Sequence, residues 1–378
     1  MEFKLLKRSR HSRARLGILK TAHGEVETPA IVPVATQATV KTLTSRQVEE
    51  AGCQLLICNT FHLHLKPGEE VVKRGGGLHG FMNWKRPLMT DSGGYQVFSL
   101  GFGRDLGVGK IAKPGSAKRV KSGQQPHLLK IDEDGVWFTS YIDGRKVFIG
   151  PEESIRIQQA LGADIIFAFD ECTAPSADKA YTKKSLALTH RWAARCLAAK
   201  KGERQALYGV VQGGRFEDLR RESARFMAGL DFNGFGIGGE FGDDKKAMGR
   251  MIRWVTDELP EAKPRHLLGI GHPDDLVTIV KAGADTFDCT APTHYARHGT
   301  AFVSNGRLDL NQSRFLRDRR PLDPRCGCFV CAEHTRSYLS HLIRAKEVAG
   351  MVLLTSHNLH FFNGLVADIR RRIKKGLL

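Results

Sequence analysis

The sequence predicts an α/β fold, a (β/α)8 TIM barrel with insertions, on three observations. Short apolar runs recur along the chain and each ends in a polar residue or glycine. Stretches of helical periodicity lie between them. The length, 378 residues, accommodates eight such units with room for insertions. A doubly wound sheet is the alternative, but no G-x-G-x-x-G opens a helix and no P-loop is present.

Taken in order, the strand candidates are "LLICNT" (55–60), "PLMTDSGG" (87–94), "IIFAFDE" (165–171), "LYGVVQGG" (207–214), "FGIGGE" (235–240), "RHLLGIG" (265–271), "ADTFDCT" (284–290) and "MVLLTSHN" (351–358). They are continuous rather than alternating, as parallel strands covered on both faces are. Between them, "PEESIRIQQALGA" (151–163) starts at Pro151 and stops at Gly162, a helix with proline at its first turn and glycine past its end. "RFEDLRRESARFMAGL" (215–230) repeats apolar residues at helical spacing.

Composition narrows the function classes. With 41% apolar side chains the chain is neither disordered nor short of core, and no apolar stretch approaches the roughly eighteen residues of a membrane span. The start, "MEFKLLKRSRHSRARLG", lacks the apolar centre of a secretory signal, so a cytoplasmic protein is expected. Fifty-eight Lys and Arg against 40 Asp and Glu give a formal charge of +18, a field that gathers polyanions. Gly109 to Lys130 alone holds six basic residues and no acid, within a basic insertion at 102–131. A phosphate-contacting arm and a solvated loop both fit that stretch.

Barrel enzymes build their sites where strands end. The ends here are Asp91, Asp170, Gln212, Gly238 with Gly239, and Asp288. Any one Asp after a strand can be a helix N-cap. Three facing one mouth suggest chemistry at a sugar anomeric carbon, with one carboxylate as nucleophile and another as proton donor. The third suits guanine, because a carboxylate accepts from the ring N–H and the exocyclic amine together. Gln212 and a backbone N–H near Gly239 can donate to the ring carbonyl.

The motifs "DSGGYQVFSL" (91–100), "FAFDECT" (167–173), "VVQGG" (210–214), "FDCTAPTHYARHGTAF" (287–302) and "CGCFVC…HLIRA…TSHN" resemble the tRNA-guanine transglycosylases, or queuine tRNA-ribosyltransferases, of bacterial type. The resemblance runs from about residue 3 to 372. It implies a TIM barrel with a small zinc-binding subdomain and a homodimer. The implied reaction exchanges the wobble guanine of tRNAs with a GUN anticodon for a 7-deazaguanine base. Asp288 falls on the nucleophile that forms a covalent tRNA intermediate, and Asp91, flanked by Ser92, on the general acid/base. Asp170, Gln212, Gly238 and Gly239 match the base-recognition set, and Tyr95 and Leu268 the two faces that sandwich the base. Cys172 lies on the base-pocket motif, where packing and base contact compete. Arg297 is a phosphate candidate. The expected layout is one catalytic domain over 1–378, with the zinc-binding subdomain at 310–360 inside it.

Eight cysteines, three of them within "CGCFVC", point to reduced thiols plus a metal site rather than a disulfide framework. Cys326, Cys328 and Cys331 need one histidine to close a Cys3His site. Spacing alone favours His334 over His341 and His357. The resemblance places the ligand beyond the helix "SYLSHLIRAKEVAG", at His357, and implies structural Zn(2+).

Two departures from the family pattern bear on function. After the glycine pair the chain reads "GGEFGDD" (238–244), with Glu240 where an apolar residue is expected and Asp243 or Asp244 in place of the usual Glu. The incoming base is therefore open between 7-aminomethyl-7-deazaguanine, favoured because an acid can pair with its ammonium, and queuine. The basic insertion is longer than usual and is expected to extend the tRNA-binding rim. A DNA-directed transglycosylase and a non-catalytic tRNA-binding partner subunit are the rival readings. The partner subunit would be expected to lack Asp91 or Asp288, and both are present.

Overall fold

The barrel runs are short and apolar because each is covered on both sides. In the computed structural model, which describes residues 1–378 apart from 96, 98–128, 175–176, 240 and 242–244, every residue of Ile165–Phe167 and Ala206–Val211 is buried. A three-stranded antiparallel sheet comes first, formed by β1 (Glu2–Arg8), β2 (Arg15–Thr21) and β3 (Gly24–Thr28). The barrel then begins with β4 (Ala30–Pro33), β5 (Leu56–Cys58) and β6 (Leu88–Thr90). A second antiparallel sheet of β7 (Leu129–Ile131), β8 (Val136–Thr139) and β9 (Lys146–Ile149) is inserted before β10 (Ile165–Phe167). β11 (Ala206–Val211), β12 (Gly234–Ile237), β13 (Arg265–Leu267) and β14 (Thr286–Cys289) complete the set.

The eight barrel strands run in the order β4-β14-β13-β12-β11-β10-β6-β5, all parallel. A parallel bridge between Val34 and Ile57 joins the two ends of that order and closes the ring. Inside lie Val32, Ile57, Met89, Phe167, Tyr208 and Val210, a packed interior rather than a pore. Outside, helices such as Pro151–Leu161, Lys179–Ala199 and Glu217–Ala228 bury Ile155, Trp192 and Met227 against the strands. Pro151 does open its helix, and Gly162 caps it at φ 76°.

The β1–β3 sheet closes the end of the barrel where strands begin. Leu19 and Val26 join the interior cluster. Arg15 donates to both carboxylate oxygens of Asp285 at 2.7 and 2.5 Å, and both side chains are buried. This paired geometry makes a buried charge tolerable.

One strand expectation is overturned. Met351–Asn358 is helical, part of the long helix Val348–Lys374, and the missing barrel strand is Ala30–Pro33. A short apolar run cannot be told from a buried helical segment by period alone. Beyond it, Leu359, Phe362, Val366, Ile369 and Ile373 recur at helical spacing and carry the helix onto the barrel core. The stretch "SYLSHLIRAKEVAG" is also not one helix. It divides into Arg336–Arg344 and the start of Val348–Lys374, with Lys346 between them at φ 59°. The C-terminal region adds the hairpin β15 (Thr300–Val303) and β16 (Gly306–Asp309) and its own apolar cluster around Leu310, Phe315, Val330, Leu339 and Leu354.

Candidate active site and metal centre

The strand ends meet in one cavity of about 570 Å³. Asp91, Ser92 and Tyr95 enter from the end of β6, Asp170 and Cys172 from beyond β10, and Gln212 from the end of β11. Gly238 and Gly239 follow β12, Leu268 follows β13, and Asp288 stands on β14. All ten of these expected residues line the cavity. Arg297 does not. It ends the helix Ala291–Arg297 that follows Asp288, and its Nε is buried without a hydrogen-bond partner among the described residues.

Asp91 is held from three sides. Its Oδ1 accepts from the backbone N–H of Thr60 at 2.9 Å and of Gly93 at 3.2 Å, and its Oδ2 accepts from the Asn59 amide. The Thr60 hydroxyl donates to its backbone carbonyl at 2.5 Å. The carboxylate is thus fixed by the turn after β5 as well as by its own loop.

Asp170 closes a buried network. Ser92 Oγ donates to its Oδ1 at 3.0 Å and Gln212 Nε2 to its Oδ2 at 2.6 Å, with all three side chains buried. A Cβ on Gly238 would lie 2.7 Å from Gln212 Nε2, and Gly239 has φ 89°. A side chain at 238 would push the Gln212 amide from its present place, and the positive φ at 239 favours glycine. Glu171, next along the motif, takes no part in the cavity lining. It accepts from the Tyr181 hydroxyl at 2.5 Å, and burial pushes its carboxyl up.

Asp288 is anchored through Oδ1, which accepts from the backbone N–H of Gly269 at 2.7 Å and faces His266 Nε2 at 3.2 Å. His266 is wholly buried. Three polar residues in or next to the cavity were not among those expected from the sequence. Asn59 ends the run "LLICNT" as Asp91 ends its own, so the rule that found one reaches the other. Lys41 lines the cavity as an exposed cation, and burial together with its charge lowers the imidazolium form of His62 beside it. Nothing in the sequence pattern marked His266. Glu240, Asp243 and Asp244 lie outside the described residues, as does 102–128 of the basic insertion.

The metal cluster resolves the choice of histidine. Ligand atoms of Cys326, Cys328, Cys331 and His357 all lie within 4.8 Å of one another. His357 Nδ1 stands 3.9, 3.4 and 3.4 Å from the three sulfurs. A tetrahedral ion with Zn–S and Zn–N bonds of ordinary length sets sulfur and nitrogen about 3.5 Å apart, so the donors fit. His357 Nε2 donates to the Phe302 carbonyl at 2.7 Å, which leaves the Nδ1 lone pair facing the thiols. His334 and His341 are not in the cluster. Cys53 and Cys196 are pushed up to about 12 by burial, as inert packed thiols are.

A second group, His23, His79 and Asp164, sits at the opposite end of the barrel. Its imidazoles stack with centres 3.5 Å apart. His23 Nδ1 lies at hydrogen-bond distance, 2.7 Å, from Asp164 Oδ1, and His79 Nε2 stands 3.2 Å from Oδ2 without hydrogen-bond geometry, its Nδ1 meeting the Trp84 carbonyl instead.

The described helices include none long and apolar enough to cross a membrane. The family model described as Queuine tRNA-ribosyltransferase matches residues 10–378. Curated relatives bearing the name "Queuine tRNA-ribosyltransferase" include one from Desulforamulus reducens, 46% identical over 379 residues, covering 100% of this chain and 96% of the relative. The relative from Halothermothrix orenii is 45% identical over 379 residues, covering 100% and 95%. That from Moorella thermoacetica is 45% identical over 377 residues, covering 100% and 94%. With the family's match spanning nearly the whole chain and the strand-end acids gathered in one cavity, this chain belongs to the queuine tRNA-ribosyltransferase family, transferases that act on tRNA.

Proposed function

We propose that this chain exchanges the wobble guanine of tRNAs with a GUN anticodon for a 7-deazaguanine, in queuosine biosynthesis. The observation that carries the reading is the convergence of Asp91, Asp170 and Asp288, from three strand ends, on one cavity of about 570 Å³. That volume is ample for a purine base.

A carboxylate oxygen of Asp288 attacks the ribose anomeric carbon, the bond from that carbon to the guanine nitrogen breaks, and the electron pair leaves with the base. Asp91 supplies the proton that neutralises departing guanine. The incoming base gives its ring proton back to Asp91 as its nitrogen attacks the same carbon, and Asp288 is released. The ester to Asp288 retains the energy of the glycosidic bond, so the step balances without ATP or a redox cofactor. Asp170, held by Ser92 and Gln212, accepts from the guanine edge. Tyr95 and Leu268 cover the faces of the base, the backbone at Gly238 and Gly239 meets its carbonyl edge, and Cys172 contacts the incoming ring.

Cys326, Cys328, Cys331 and His357 suit a structural zinc ion, which would tie the 310–360 segment together as a subdomain of the single catalytic domain. Arg297 and the basic insertion contact tRNA phosphates, and the chain works in the cytoplasm as a homodimer. The favoured incoming base is 7-aminomethyl-7-deazaguanine, and tighter binding of queuine in competition would reverse that preference.

The test is incorporation of labelled guanine into a GUN-anticodon tRNA by the native protein and by Asp288→Asn. Incorporation by the native protein alone supports the reading. No incorporation by either, with tRNA still bound, points to a binding partner or another nucleic-acid substrate.

A further inference from the structure

We infer that His266 is a positioning residue for Asp288, acting with Thr286 to hold the carboxylate in its attacking orientation; this rests on Asp288 as the nucleophile. The register creates the arrangement. β13 and β14 pair in parallel with His266 opposite Thr286, and Asp288 stands two residues further along the same face of β14. His266 is wholly buried and packs beside apolar side chains such as Phe167, whose ring centre lies 5.5 Å away. A polar ring in such surroundings costs free energy unless both nitrogens are satisfied.

Both are satisfied by groups tied to Asp288. Nε2 lies 3.2 Å from Asp288 Oδ1 and Nδ1 lies 2.9 Å from Thr286 Oγ1. A carboxylate oxygen only accepts, so Nε2 carries the proton, and the threonine hydroxyl is then placed to donate to Nδ1. The Gly269 N–H, from the turn after β13, reaches the same Oδ1 at 2.7 Å. Two donors from β13 and its following turn therefore converge on one oxygen. Together they fix rotation of the carboxylate, a preorganisation that costs nothing at the moment of attack. Removing the imidazole takes away one of these donors and loosens the hold on the carboxylate.

The experiment measures the rate at which the covalent protein–tRNA adduct forms after rapid mixing and denaturing quench, in native protein, His266→Leu and His266→Gln. Guanine and tRNA dissociation constants are measured beside it. His266→Leu is expected to slow adduct formation about 10- to 100-fold, the cost of one lost hydrogen bond to a part-buried charge, with both dissociation constants unchanged. The Gln side chain restores an N–H donor and is expected to recover most of that rate. Adduct formation by His266→Leu at the native rate, or equal losses in both variants together with weakened guanine binding, would overturn the inference and leave His266 a packing residue. Should His266→Leu not fold, Thr286→Val, which keeps the side-chain shape and removes the hydroxyl, is expected to slow the step several-fold, and an unchanged rate would overturn the inference. Asp288→Asn separates the two readings. If it still forms the adduct, the nucleophile is elsewhere and both readings fall; if it does not, the His266 variants judge this inference alone.

Discussion

Gln212 Nε2 donates to Asp170 Oδ2 at 2.6 Å, joining the end of β11 to the loop beyond the neighbouring β10 at the wall of the cavity. Ser92 completes the grip on the other oxygen, so Asp170 presents a fixed pair of acceptors to whatever enters. Gln212→Leu removes a donor from a buried carboxylate. Its expected cost is about 1–3 kcal/mol, read as a roughly 10- to 100-fold weaker guanine dissociation constant, with tRNA affinity little changed. Calorimetric titration with guanine checks it, and native affinity in the variant would remove Gln212 from base recognition.

The two halves of this network differed in how easily they could be read. Asp91, Asp170, Gln212 and Asp288 are polar residues at the ends of apolar runs, and the barrel rule alone collects them at one mouth. Asn59 obeys the same rule, as Gln212 does, and was legible by it. His266 is different in kind, because it lies inside its strand and acquires its partners only through the pairing of β13 with β14. Sequence spacing does not encode that register. The same limit explains the misread run at 351–358. Its apolar content is equally compatible with a strand, and only the burial of Phe362, Val366, Ile369 and Ile373 beyond it settles the helix. The histidine of the cluster needed tertiary structure or a family pattern, since His334 is nearer in sequence but His357 is the residue whose Nδ1 meets the sulfurs.

The Cys3His cluster predicts a metal-dependent stability. The segment it would tie has a small core of its own, with Cys328 and Cys331 buried in it. Prolonged chelation, or Cys328→Ser, is expected to remove about one zinc per chain and lower the melting temperature by about 5 °C or more, because binding free energy at such a site is folding free energy. Metal analysis and thermal unfolding of the same samples provide the check. A folded, active sample without zinc would end the assignment.

The basic insertion predicts a salt effect. Lys110 to Lys121 contains five Lys and Arg and no acid. Each phosphate contact adds about 0.7–0.9 to the slope of log affinity against log salt. Deleting this stretch is expected to weaken tRNA binding at low salt and to flatten that slope by one or more. Identical slopes for native and deleted proteins would show that these charges make no phosphate contacts.

His190 predicts a pH dependence of stability with a defined sign. It is buried on the helix Lys179–Ala199, its ring stacks on Phe226 at 4.0 Å and 8°, and its Nε2 has no hydrogen-bond partner among the described residues. Burial, with a smaller contribution from the Arg191 charge, lowers its pKa from 6.5 to about 4. In the unfolded chain the ring protonates near 6.5. Between those values the unfolded state binds a proton that the folded state refuses, so this contribution is full above about 6.5, declines as pH falls, and is lost through about 4. His190→Phe keeps an aromatic ring for stacking and removes the titration. Near pH 7.5 the variant is expected to melt close to the native protein, and near pH 5 several degrees above it. Melting curves at the two pH values decide the matter, and an equal native-to-variant difference at both would show that His190 is not the titrating group.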